Sequence, residues 1–202
     1  MSNYRASIVL MFVLIAPAIS LFAETAPQMP TVELRGDSAV AGGGTFTVSI
    51  FLTDSSKTIG GFDFLIEFDN GAIVFDSATY GAHTAGQWEY FTSRSALLAP
   101  ENSTSTAAFM RVLGIADNQD AAKKHPDPKS LVGPGELVRL YLYATDRKEY
   151  VGKVSELRFL WNKCSDNSIS DLTGNQLLLA AKVTDASGIL ITAERYAGPA
   201  RK

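Results

Sequence analysis

The sequence predicts an all-β fold, a two-sheet antiparallel β-sandwich of about nine strands with a jelly-roll-like arrangement. Three observations carry this. Apolar residues recur with a period of two, turn-forming clusters separate the alternating runs, and no long segment carries a helical apolar stripe. A half-buried antiparallel strand shows this alternation because successive side chains point to opposite faces.

Taken in order, weak strand signals at 31–35 precede Gly42-Gly43-Gly44 and the run Thr45–Leu52, in which Phe46, Val48, Ile50 and Leu52 share one face. In Phe62–Asp69 the apolar face is Phe62, Phe64, Ile66 and Phe68, and the opposite face is Asp63, Leu65, Glu67 and Asp69. Shorter signals follow at 73–76, 87–92 and 106–115. In Leu137–Ala144, Val138, Leu140 and Leu142 alternate with Arg139, Tyr141 and Tyr143. Further strands are expected at 156–161, 176–183 and 189–193. Asp69-Asn70-Gly71, Asp166-Asn167-Ser168 and Ala186-Ser187-Gly188 supply the turns between them. Residues 117–135, with three prolines, read as an exposed loop.

Composition bounds the class. The chain has 202 residues, 46% hydrophobic and 19% charged, which excludes a disordered polar chain. A net charge of −3 supplies no basic field for a phosphate backbone, so nucleic acid is not an expected partner. One cysteine and two histidines exclude a disulfide framework and disfavour structural zinc.

Ile8–Phe22 is an uncharged run of 15 residues preceded by Arg5. It falls short of the roughly 20 residues a membrane span needs. With small residues after it and Ala23 as the last residue before cleavage, residues 1–23 read as a signal peptide. The expected organisation is then a linker at 24–30, one sandwich domain at 31–193 and a polar tail at 194–202, with no membrane span after cleavage and a secreted or cell-surface location.

A resemblance follows from particular residues. Ala41–Gly44 with the strand after it, Ile59-Gly60-Gly61-Phe62-Asp63-Phe64, Glu67-Phe68-Asp69 and Ile73–Phe75 before Tyr80-Gly81 resemble the N-terminal half of cohesin domains. Gly135–Leu140 and Glu156–Phe159 resemble a later strand pair of that family. The whole reads as a divergent variant, related in fold to cellulose-binding modules. The resemblance implies a β-sandwich of a secreted bacterial protein that binds a dockerin, a small calcium-loaded module, in assemblies for polysaccharide degradation. It also implies that the partner meets the outward side of Phe62–Asp69, where Asp63 matches an acidic position of the family. The position of a polar amide in type I members is held here by Gly61. Calcium in that pairing belongs to the dockerin, so neither metal nor cofactor is expected in this chain.

The alternation alone leads to a compatible place. Phe51, Leu65, Phe91, Tyr141 and Tyr143 are expected on faces turned away from the main core, where they would form a binding patch unless other chain covers them. The candidate partner-binding residues are Asp63, Leu65, Glu67, Tyr141 and Tyr143. A carbohydrate-binding module is the competing reading, with Trp88, Tyr90 and Trp161 as a platform, although their register favours burial; a structural envelope protein is a third.

Catalysis is disfavoured. No G-x-S-x-G or H-E-x-x-H motif occurs, and His83 and His125 read as surface residues. Asp63 and Glu67 lie about 13 Å apart on an extended strand, beyond glycosidase spacing. Asp69 reads as a turn residue. Asp117-Asn118-Gln119-Asp120 lacks the order of a calcium loop, Asn102-Ser103-Thr104 is a chance-level glycosylation pattern, and Cys164 is unpaired.

Overall fold

The computed structural model describes residues 30–55, 58–86, 88–98, 104–116, 133–163, 165–177, 180–182 and 188–195. The expected signal peptide, residues 24–29 of the linker, residues 117–132 of the long loop with His125, Asn102, Cys164 and the end of the tail lie outside these residues.

Alternating apolar residues pair into β1 (Thr31–Gly36), β2 (Ala39–Gly42), β3 (Thr45–Asp54), β4 (Gly61–Asp69), β5 (Ile73–Tyr80), β6 (Trp88–Leu97), β7 (Ala107–Ala116) and β8 (Gly135–Ala144). A 3₁₀ turn at Lys148–Tyr150 leads to short strands β9 (Val154–Glu156), β10 (Arg158–Phe159), β11 (Ser168–Ser170), β12 (Gln176–Leu177) and β13 (Ala180–Lys182), then to β14 (Gly188–Arg195). One sheet runs β13-β1-β3-β8-β5; the other runs β12-β11-β4-β7-β6, with β10 also on β4. A ribbon β2-β14-β9 adds Ile189 and Ile191 to the core. Pairing is antiparallel except for β1 with β13 and β2 with β14. The expected sandwich is the observed one.

Between the sheets, Val48, Ile50 and Leu52 of β3 and Leu140 and Leu142 of β8 meet Phe64 and Ile66 of β4 and Met110 and Val112 of β7 in one buried cluster. Removing this apolar surface from water is the main stabilising term.

Two expected strands are each divided between sheets. Residues 156–161 split at the fully buried Leu157, with β9 on β14 and β10 on β4. Residues 176–183 likewise split, β12 pairing with β11 and β13 with β1. Ser168, expected in a turn, opens β11 because Ile169 is drawn into the core.

In β6 the alternation of the sequence misleads. A register shift between Trp88 and Tyr90 changes the parity of the strand. Trp88 is buried and stacks on Phe62 at 5.2 Å, as its register suggested. Tyr90, expected to be buried with it, is 53% exposed. Phe91, expected outside, packs against the core and meets Tyr80 at 4.8 Å. Burial, helped by Glu89, pushes the Tyr80 hydroxyl up to about 12.

Gly114 on β7 lies under the Phe62 ring, and a Cβ there would stand 2.5 Å from Cζ of that ring. Gly114→Ala is therefore expected to destabilise the domain by about 1–3 kcal/mol through displacement of the Phe62–Trp88 stack. Urea denaturation measures this, and a variant within about 0.5 kcal/mol of the parent would contradict it.

Candidate partner-binding face

The outward side of β4 presents Asp63, Leu65 and Glu67. Asp63 takes two hydrogen bonds from Arg111 of β7, Nε to Oδ1 at 2.8 Å and Nη2 to Oδ2. This bonding raises the Arg111 guanidinium further above its ordinary value, against some loss from burial. Glu67 accepts a bond of 3.0 Å from Nε of Arg158, its register partner on β10. The carboxylates are therefore paired within the sheet. Leu65, expected to be an exposed contact, is only 6% exposed. It lies on the outer side of β4, between Asp63 and Glu67, and opposite Arg111 in register.

The chain between β10 and β11 fixes this region. Leu160 N–H donates to Leu65 O at 2.8 Å, extending the ladder by one bond. The ladder then ends, and an asparagine side chain takes its place. Asn167 Oδ1 accepts from Leu65 N–H at 2.8 Å, while its Nδ2 donates to Leu160 O at 2.9 Å. Asn167 is 1% exposed and has φ +53°, a conformation asparagine tolerates better than most residues. Next to it, Asp166 Oδ2 accepts from the N–H groups of Asn162 and Lys163 at 2.9 and 2.8 Å. Trp161, expected to be buried, is 49% exposed at the start of this segment. The Asp-Asn pair is a visible turn signal, but the ladder position that Asn167 fills is set by a contact 102 residues away in sequence.

Farther across the same face lies an apolar strip. Tyr90 of β6 is opposite Ile115 of β7, and Ile115 is 41% exposed. Leu113 and Phe109, two and six residues back along β7, share that side and are half-buried. Cross-strand pairs of this kind hold one another in place. Opposite Ile115 on β4 is Gly61, and a Cβ there would meet Ser170 Oγ of β11 at 2.6 Å. The neighbouring strand thus occupies the space a side chain at position 61 would need.

Tyr141 and Tyr143 do not join this surface. They belong to β8, whose inward residues are Leu140, Leu142 and Ala144, so they face out from the opposite sheet. The five expected partner-binding residues are therefore divided between two faces, because strands of similar pattern went to different sheets. Phe51 shares the Tyr141 side and is covered by the Arg35 guanidinium, 3.6 Å from its ring centre. His83, expected to be a surface residue, is half-buried with its ring against Gly135, where a Cβ would collide with it.

Glu136 is a buried charged group of the second sheet. It accepts from Arg139 Nε and Nη2 at 2.9 and 2.7 Å, from Ala82 N–H at 3.0 Å and from the Ser49 hydroxyl. Burial raises its carboxyl, but the bonds from Arg139, Ser49 and Ala82 outweigh this and hold it below the ordinary value. A carboxyl lowered on folding stabilises the fold above the unfolded value of about 4.3, and that stability is lost as pH falls through the lower folded value. Glu136→Gln is expected to flatten this acid limb of the stability–pH curve. An unchanged limb below about pH 4.5 would contradict the assignment.

Among the described residues no helix is long and apolar enough to cross a membrane. No family model matches the chain, and no curated protein matches it in sequence. Solved structures do match. The sixth cohesin of scaffoldin B from Acetivibrio cellulolyticus, in complex with a Cel5 dockerin, is 16% identical with a TM-score of 0.53, over 81% of this chain and 99% of that one. The OlpA cohesin from Clostridium thermocellum, in a type I cohesin–dockerin complex, is 14% identical with a TM-score of 0.57, over 81% and 99%. A type II cohesin domain from the cellulosome of Acetivibrio cellulolyticus is 12% identical with a TM-score of 0.54, over 80% and 95%. The β-sandwich described above is the cohesin fold.

Proposed function

We propose that this chain is a non-catalytic recognition module that acts outside the cell and binds a protein partner, a dockerin, through the outer face of the β12-β11-β4-β7-β6 sheet. The observation that carries the proposal is the composition of that face. Asp63 is already paired with Arg111 and Glu67 with Arg158, Arg94 stands exposed on β6 opposite Arg111, and beside them Tyr90 and Ile115 stand exposed. Pre-formed pairs and an unpaired apolar strip suit a protein surface, with apolar contact giving affinity and the charges giving orientation. The cohesin fold supports the reading, since two of the similar structures were solved with dockerins bound.

Calorimetric titration with recombinant calcium-loaded dockerins of type I and type II tests it, with soluble and insoluble polysaccharides in parallel. Saturable one-to-one binding of a dockerin is expected. Retention by polysaccharide with no heat from any dockerin would overturn the proposal. Export is tested separately, by N-terminal sequencing of the secreted protein, with Glu24 expected as its first residue.

A further inference from the structure

Between the end of β4 and β9, which pairs with β14 before the chain joins β4 as β10, lies a cavity of about 560 Å³. Such a volume lies within the roughly 300–1,000 Å³ of small-ligand pockets. Ser155 lines it, is 7% exposed, and has an Oγ with no hydrogen-bond partner. A buried hydroxyl without a partner is uncommon and calls for an explanation. Tyr150 supplies an aromatic wall, packed against the core, with the Lys153 ammonium 5.8 Å from its ring centre.

The charges of the cavity narrow the ligand. Glu67, Asp69 and Glu156 face Lys153 and Arg158, and Glu67 is already bonded to Arg158. Asp69 Oδ1 accepts from Gly71 N–H at 2.8 Å. An anion would meet more carboxylates than cations, and a cation would compete with Lys153 and Arg158. A neutral ligand rich in hydroxyls suits both, because each hydroxyl donates to a carboxylate and accepts from an ammonium or from Ser155. An aromatic wall adds a surface for the apolar face of a ring.

We infer that this cavity binds a neutral sugar ring, with Ser155 and Tyr150 as its contacts. The site adjoins the proposed partner face at the Glu67–Arg158 pair but does not depend on it. NMR titration of the full chain with cellobiose, xylobiose and di-N-acetylchitobiose tests the inference, with digalacturonate and trilysine as charged probes. A hexaose of each neutral sugar separates a lone disaccharide site from a chain-binding groove. Saturable shifts at Ser155 and Tyr150 with a neutral sugar, and none with the charged probes, are expected. Ser155→Ala should raise Kd about five- to tenfold while leaving the free protein at least as stable, since the orphaned hydroxyl is gone. Tyr90→Ala should leave sugar binding unchanged, which separates this site from the partner face. No shift with any neutral sugar, equal response to a charged probe, or an unaltered Kd in Ser155→Ala would overturn it.

Discussion

Asn167→Ala is expected to destabilise the domain by about 3 kcal/mol. The asparagine amide, itself 1% exposed, serves Leu65 N–H and Leu160 O at 2.8 and 2.9 Å. Losing it strands the buried Leu65 N–H, which costs about 1–3 kcal/mol, and leaves the half-buried Leu160 carbonyl without this donor. Alanine at φ +53° adds roughly 1 kcal/mol of backbone strain. Two further variants separate these contributions. Asn167→Gly removes the amide without the strain and should lose less. Asn167→Asp keeps an acceptor for Leu65 but opposes a carboxylate to the Leu160 carbonyl, and should fall near alanine. Chemical denaturation of the three gives the order, and an alanine variant within about 1 kcal/mol of the parent would remove Asn167 from this role.

Ile115→Asp is expected to weaken dockerin binding about 100-fold or more, which is about 2.7 kcal/mol. Ile115 stands in the exposed strip beside Tyr90, so a carboxylate there must be desolvated against whatever apolar group the partner presents. At 41% exposure the substitution leaves the fold intact, so circular dichroism and melting should match the parent. Tyr141→Ala and Tyr143→Ala, on the far sheet, should change affinity by less than about threefold. The comparison decides between faces. Loss in the tyrosine variants with none in Ile115→Asp would move the partner to the β13-β1-β3-β8-β5 sheet.

These two expectations also mark what could be read from sequence. Period-two alternation located β3, β4 and β8 because each has a wholly apolar inward row, such as Phe62, Phe64, Ile66 and Phe68. Alternation says which residues share a face; it does not say which sheet the face belongs to. Asp63 and Tyr141 thus looked like neighbours and lie on opposite sides. Parity failed in β6, where one register shift exchanged Tyr90 and Phe91 between surface and core. The division of the expected 156–161 strand at Leu157 and the strand at Ile169 were illegible for another reason. Each strand there is two or three residues long and takes its conformation from a distant partner rather than from its own pattern. Asn167 belongs with them.

The two parallel pairings have a consequence for synthesis. Among the described residues β2 pairs as a strand with β14 alone, and β1 has β13 on its outer side, so strands near the front of the domain wait for strands near its end. While the chain is made, β2 lacks its partner and β1 keeps one open edge until residues 180–195 emerge. Open strand edges recruit other strands. The nascent domain therefore passes through a stage in which ten strands can pair while β2 and β9 wait and β1 keeps an open edge, and a holding chaperone or a slow translocation step would act on that stage rather than on the finished sandwich.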